Sequence, residues 1–428
     1  MMRLSRRRFL QAGSTAAVAT IVPGSISAEC KSNLPPSIAS LKSMKDQAVP
    51  ITVEERKARV ERAGDLMAEN TLQAIVITSG SSLTYYSAVH WWTSERLFAM
   101  VLPAKGKAFF VCPAFEEGRA REQLATGPFG SDAEVRIWQE DEDPYLRVAQ
   151  GLRDLGLTSG VLGIEEKTPF VFSDGIAAHI PALQIASATP VTAGCRMIKS
   201  DHEISLMRLA ANASITAYEA AYRALKVGMT QNEFEGLVES AHTQLGFHGG
   251  ADVQVGPHSA APHGSIASQK ITEGTIVMMD GGCSVEGYAS DITRTFVLGK
   301  PTDKMKRIFD IVHQAQSAAL AAARPGVECQ AVDAAARKVV IDAGYGTGFR
   351  YFTHRLGHGM GLDGHEWPYL VPGNTTLLRT NMTFSDEPGI YIPGEFGVRI
   401  EDDMHILAEG AELFSPRSPS LEHPFGTA

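Results

Sequence analysis

The chain has 428 residues and a mass of 46.0 kDa, too long for one ordinary core and of a size for two or three domains at roughly 100 to 200 residues each. Its 44% hydrophobic and 20% charged residues are those of a soluble globular protein with a large interior, which argues against disorder. Net charge is −9, and residues 1–28 hold Arg3, Arg6, Arg7 and Arg8 and no acid, leaving −13 on the remainder, so no nucleic-acid partner is expected.

The chain opens with Ser5-Arg6-Arg7-Arg8-Phe9-Leu10, then a mildly apolar run rich in Ala, Ser and Thr, then small residues around Ser27 and Ala28. This is the pattern of a twin-arginine export signal over residues 1–28. The apolar part, residues 12–28, is shorter than the roughly 20 residues a spanning helix needs and contains Pro23 and Gly24, so no membrane anchor is expected. Glu29 stands just before Cys30, where a lipoprotein signal needs a small residue. The twin-arginine route carries folded proteins, and the expected destination is the periplasm. Residues 29–50, polar and interrupted by Pro35, Pro36 and Pro50, read as a leader or linker after which structure begins. The five cysteines, Cys30, Cys112, Cys195, Cys283 and Cys329, are odd in number and scattered, so they predict small buried residues rather than a disulfide framework or a thiolate site.

Val60, Ala63, Leu66 and Met67 have helical spacing and predict a helix over 53–69. Short apolar runs at 74–78, 98–102, 109–112 and 161–164 predict strands, with helical patterns around 116–124 and 145–155. Such alternation predicts an α/β domain over 51–195, with a break near 192–199. The second domain, 196–428, starts with a strong helix over 201–225, its core face marked by Ile204, Met207, Ala211, Ile215 and Tyr218 and its cap placed at Asp201. A helix at 231–245, strands near Val253, Ile276 and Thr293, helices at 304–323 and 330–343, and further strands complete the pattern. Two halves share an outline of helices followed by hairpins.

Each half places two acids on extended segments. Asp280 ends the apolar strand Ile276-Val277-Met278-Met279, Asp291 precedes Ile292-Thr293, Glu387 precedes Pro388, and Glu401 follows Val398-Arg399-Ile400. An acid in such a setting is costly unless paired, protonated or bound to a cation. One would pass as a structural ion pair; four in two hairpin-like pairs strain that reading. Between the pairs lies His354-Arg355-Leu356-Gly357-His358-Gly359-Met360-Gly361-Leu362-Asp363-Gly364-His365-Glu366, too rich in glycine for a stable helix. Its histidines therefore do not share one helical face, as they would in H-E-x-x-H enzymes. Two Asp, two Glu and one His form an oxygen-rich set suited to Mn, Co or Zn. Four carboxylates carry the charge that two divalent ions would cancel.

With these segments the chain resembles the pita-bread metallopeptidases, in their aminopeptidase P and prolidase branch. The resemblance rests on residues 280–296, 354–368 and 384–403 and covers most of 53–410, including Trp91-Trp92-Thr93-Ser94-Glu95-Arg96-Leu97-Phe98. It implies an α/β creatinase-like N-terminal domain followed by an α+β pita-bread catalytic domain. It further implies that Asp280, Asp291, His358, Glu387 and Glu401 ligate two divalent metal ions, Mn foremost with Co or Zn as alternatives, and that Asp291 and Glu401 touch both. Glu387 would also act as general base. By the same carry-over His263 faces the substrate, His354 lines the pocket, and His365 donates to the scissile carbonyl as charge develops on its oxygen. Arg399 binds a substrate carboxylate or orders the acids; His258 has no counterpart and reads as structural. The implied substrate is a proline-containing peptide or dipeptide cut before proline, and the implied assembly is a homodimer or tetramer. The aromatic stretch Tyr85-Tyr86 and Trp91-Trp92 suits an interface or simple core packing. The same fold hosts other activities. A creatinase-like amidine hydrolase would lack the metal ligands, and a metal-free binding module would have lost some. A metal-dependent lyase acting on a small substrate such as dimethylsulfoniopropionate would add an acid where Gly282 stands.

Overall fold

The computed structural model describes residues 34–426; the arginine-rich segment and Cys30 lie outside the described residues. Pro36–Ala39 forms a short helix, α1, started by the proline that the sequence reading took for a leader. Ile38 is 0% exposed in the core of the second domain, and Ser37 Oγ donates to the carbonyl of Ala220 at 2.8 Å. Residues 34–50 are thus part of the fold rather than a leader, because they carry apolar side chains (Leu34, Ile38, Leu41, Met44) that this core covers.

The first domain is a three-layer α/β unit. α2 (Val53–Glu69) is opened by a capping box of Thr52 and Glu55. β1 (Ala74–Ile77) is followed by α3 (Ser81–Ser87), β2 (Ala99–Pro103), β3 (Phe109–Pro113), α4 (Glu117–Thr126), β4 (Glu134–Trp138), α5 (Pro144–Asp154), β5 (Gly160–Ile164), α6 (Phe170–His179), β6 (Leu183–Ser187) and α7 (Thr189–Arg196). The sheet order is β4-β3-β2-β1-β5-β6, with β1 antiparallel to β2 and parallel to β5. Ile75 and Ile77 of β1 pack with α2 and α7, while Ala74 and Val76 pack with α5 and α6. Both faces of the central strands are covered, so they read as continuous apolar runs. Tyr85, Tyr86 and Trp91 belong to this core, and only Trp92, 49% exposed, is left at the surface.

The second domain repeats one plan twice. α8 (Asp201–Ala224) and α9 (Gln231–Leu245) lead into β7 (His248–Val255), β8 (Ile276–Val285), β9 (Tyr288–Ala289) and β10 (Ile292–Val297). The cap of α8 is Ser200 rather than Asp201, since Ser200 and Glu203 form a capping box and Asp201 is already the first helical residue. α10 (Asp303–Ala322) and α11 (Cys329–Asp342) lead into β11 (Gly357–Gly359), β12 (Glu366–Leu370), β13 (Thr383–Asp386), the hairpin β14 (Gly389–Ile392) and β15 (Phe396–Arg399), β16 (Asp402–Ile406) and β17 (Ala411–Leu413). The two sheets run β10-β8-β7 and β12-β11-β13-β16-β17. They meet where Thr295 Oγ1 donates to the carbonyl of Arg399 at 2.6 Å and Glu401 N–H to that of Thr293 at 3.2 Å, which carries the acids of one half to those of the other. Cys112, Cys195, Cys283 and Cys329 are free and buried, and no described helix is long and apolar enough to cross a membrane.

Candidate metal centre and active site

Asp280 sits mid-strand in β8, Asp291 just before β10, His358 in β11, Glu387 just after β13 and Glu401 between β15 and β16. These five, with His263, His354, His365 and Arg399, line one cavity of about 150 Å³, together with Pro262 and Arg355. A larger cleft of about 540 Å³, around Arg59, Lys199 and Glu203, gathers none of these acids or histidines. In the smaller cavity, donor atoms of Asp280, Asp291 and Glu401 lie within 4.8 Å of one another, as do those of His358, Glu387 and Glu401, and those of Asp291, His358 and His365. Asp291 and Glu401, the two acids expected to touch both ions, each belong to two triplets; so does His358.

His358 is aimed by its neighbour. Its Nδ1 donates to the carbonyl of Gly359 at 3.1 Å, which turns the Nε2 lone pair into the cavity. Nε2 stands 3.5 Å from Glu387 and 3.7 Å from Asp291, near the roughly 3 to 3.5 Å between donors that sit about 2.1 Å from a shared ion. Burial holds this imidazole down to about 3, with His365 adding to the effect, so it is neutral and fit to ligate. The His365 ring stacks on it at 3.6 Å. His354 is fully engaged: Nδ1 donates to the carbonyl of Arg355 at 2.7 Å, and Nε2 faces the Tyr391 hydroxyl at 2.7 Å. It lines the cavity as a fixed wall. His258 lies in the turn 256–260, outside the cavity lining.

Arg399 is occupied as well. Nε donates to Thr293 Oγ1 at 3.0 Å, Nη1 to Tyr391 Oη at 2.8 Å and the Pro262 carbonyl at 3.2 Å, and Nη2 to Asp280 at 2.6 Å. Of the two uses left open for it, the geometry matches ordering the acids. Thr293 Oγ1 lies 2.6 Å from both Asp280 and Glu401. Thr293, Tyr391 and Arg355 escaped the sequence reading; only Thr293 carried a signal, standing two residues from Asp291 and so on the same face of the strand.

The cavity is short of positive charge. Burial pushes Asp280 up, but Arg399 and the Thr293 hydroxyl outweigh it and hold the carboxyl below its ordinary value. Burial, then the neighbouring acids, push Asp291 and Glu401 up. Burial carries Glu387 to about 8 although Arg399 opposes it. Four carboxylates and a neutral imidazole converging on so small a space, with one arginine paired to them, fit divalent cations in both charge and donor type.

A second set of charges fixes the segment that carries the histidines. Ser81 Oγ and Lys167 Nζ each donate to Asp363 at 2.6 Å and Arg196 Nη2 at 2.7 Å. Arg196 also pairs with Glu366, and Lys199 Nζ meets Glu366 at 2.9 Å. Asp363 and Glu366 flank His365, so the N-terminal domain grips the loop on both sides of it. At Gly361 a Cβ would lie 2.2 Å from Glu366 Oε1, so a larger residue there would displace the carboxylate that Arg196 and Lys199 hold.

Comparison with known proteins agrees with this architecture. Residues 205–408 match metallopeptidase family M24, and residues 59–198 match the Creatinase/Prolidase N-terminal domain. The probable dipeptidase PepE of Mycobacterium tuberculosis is 37% identical over 366 residues, covering 82% of this chain and 92% of that protein. The Xaa-Pro dipeptidase of Lactobacillus delbrueckii subsp. lactis is 31% identical over 373 residues, covering 85% and 98%. The crystal structure of dipeptidase PepE from Mycobacterium ulcerans superposes with a TM-score of 0.81 at 34% identity, covering 87% of this chain and 99% of that one. The chain belongs to metallopeptidase family M24 and is a metal-dependent peptidase with a creatinase/prolidase N-terminal domain.

Proposed function

We propose that this peptidase is a two-metal hydrolase that cleaves the bond before proline in Xaa-Pro dipeptides or at the N-terminus of longer Xaa-Pro peptides. The observation that carries it is the convergence of Asp280, Asp291, His358, Glu387 and Glu401 on one buried cavity; the relatives named dipeptidase and Xaa-Pro dipeptidase support the substrate. Asp280, Asp291, His358, Glu387 and Glu401 would hold two divalent ions, Mn foremost. When bound, these supply hydroxide near neutral pH and polarise the scissile carbonyl. Glu387 accepts the water's proton and returns it to the leaving proline nitrogen, which has no N–H of its own in the peptide. His365 donates to the carbonyl oxygen as negative charge develops on it, and His263, at the cavity rim, faces the bound peptide. His354 and Tyr391 keep Arg399 on the acids.

The lyase reading loses ground at Gly282, where a Cβ would lie 2.0 Å from the carbonyl oxygen of Ser290, leaving no room for an added acid. Hydrolysis of Xaa-Pro, Xaa-Pro-Yaa and a longer Xaa-Pro peptide, each with Mn, Co or Zn, beside dimethylsulfoniopropionate cleavage, tests the proposal. Cleavage of the sulfonium compound alone would sink it. We also propose export by the twin-arginine route to the periplasm and assembly as a homodimer or tetramer. Arg6→Lys with Arg7→Lys is expected to trap the protein in the cytoplasm, and light scattering at micromolar concentration to give a mass above one chain.

A further inference from the structure

If Arg399 is committed to the acids, a substrate's carboxylate needs another partner. Arg399 has donors on Thr293, Tyr391, the Pro262 carbonyl and Asp280, which leaves one of its five N–H groups, too few for the two-pronged contact a carboxylate favours. Arg355 lines the same cavity and differs in each respect. Among the described residues its guanidinium makes no hydrogen bond and no ion pair. Its guanidinium carbon lies over the Tyr369 ring, 4.2 Å from the centroid, a cation–π contact that holds the group in place without using any of its N–H donors. Its backbone is fixed too, because its carbonyl accepts the Nδ1–H of His354 at 2.7 Å.

We infer that Arg355 anchors the free carboxylate of a substrate whose second and last residue is proline, and so sets the enzyme's preference for dipeptides over longer peptides. The inference rests on the Xaa-Pro reading above and deepens it. A planar, unpaired, pre-oriented guanidinium beside the catalytic groups matches a carboxylate in shape and charge. In Xaa-Pro that carboxylate is one residue from the scissile bond; in Xaa-Pro-Yaa the same place is taken by a neutral amide.

The test compares Xaa-Pro with Xaa-Pro-amide, which differ only in that charge, for wild type, Arg355→Gln and Arg355→Lys in the metal-loaded full chain. Wild type is expected to favour the free acid in kcat/KM. Arg355→Gln is expected to collapse that preference by on the order of tenfold to a hundredfold, through KM for the acid more than through kcat. Arg355→Lys, keeping the charge without the fork, should recover part of it. Metal content and melting temperature, measured on the same samples, identify a misfolded variant, in which case Arg355→Lys carries the comparison. A wild type that does not distinguish acid from amide, or an Arg355→Gln protein that keeps the full preference, would overturn the assignment and leave the Xaa-Pro reading standing. A wild type that cleaves neither compound would remove both.

Discussion

Two groups of acids, each largely shielded from water, sit within one molecule and differ in how much of their charge the chain itself offsets. Asp363 and Glu366 face Arg196, Lys199 and Lys167. Burial alone would raise Asp363, yet Arg196 and Lys167 hold it down to about 2. Asp280, Asp291, Glu387 and Glu401 face Arg399, and burial drives Glu387 to about 8. Both groups are removed from water, so burial does not distinguish them. What differs is whether the chain supplies its own counter-charge. Where it does, the acids are locked into ion pairs that fasten one domain to the other; where it does not, the deficit has to be met by cations from outside, and the region becomes a site.

Deleting an acid from the undercharged group should have the largest consequence. Glu387→Ala is expected to lose bound metal and turnover together, because the proposal makes one side chain both ligand and base; a variant that keeps its full metal complement by elemental analysis would remove the ligand role, and one that also keeps turnover would remove the base role. His365→Ala comes next. It removes a donor and no assigned ligand, so both metals should remain while transition-state stabilisation falls by about 2 to 4 kcal/mol, roughly thirtyfold to a thousandfold in turnover. The ring lies close enough to Asp291 and His358 to complete a ligand triplet, so metal loss on its removal would reassign His365 as a ligand.

The balanced group predicts the reverse signature. Arg196→Ala leaves Asp363 and Glu366 with lysines alone and should cost about 3 kcal/mol of stability, read from the denaturation midpoint, with metal content unchanged. The sign of its pH dependence follows from Asp363. A carboxyl held near 2 in the folded protein and near the ordinary value of about 4 when unfolded contributes above pH 4 and loses that contribution as pH falls toward 2. Wild type and Arg196→Ala should therefore converge in stability through that window, and a gap that stays constant down to pH 2 would speak against the ion pairs.

The sequence was most readable where periodicity and burial coincide. The helices at 53–69 and 231–245 appear at the expected residues, since each has an apolar stripe and a Thr-x-x-Glu capping box. The half-exposed edge strands β4, Glu-Val-Arg-Ile-Trp, and β6, Leu-Gln-Ile-Ala-Ser, went unread because they alternate over only three or four positions and lack the continuous apolar run that marks the central strands. α3 and α6 were equally silent: one is only seven residues long, and the other is apolar without a clear face. At the site, the acids were conspicuous because carboxylates on apolar strands are costly. Their supports were not. Tyr391, Arg355 and Arg196 become informative only once residues from distant segments, such as Arg196 and Glu366, are seen to touch. Residues 34–50 misled for a related reason, since prolines that suggest a leader also start helices, and the surface that buries Ile38 comes from α8 and α9 nearly two hundred residues away.

The central claim is that the undercharged cavity is completed by two cations and does its work through them. It is tested most directly by stripping the protein with a chelator, restoring Mn(II) stepwise, and measuring metal content and Xaa-Pro hydrolysis in the same samples. The account predicts no turnover in the stripped protein and a rise that reaches its plateau at two equivalents per chain. Turnover that survives stripping, or a plateau at one equivalent, would contradict it.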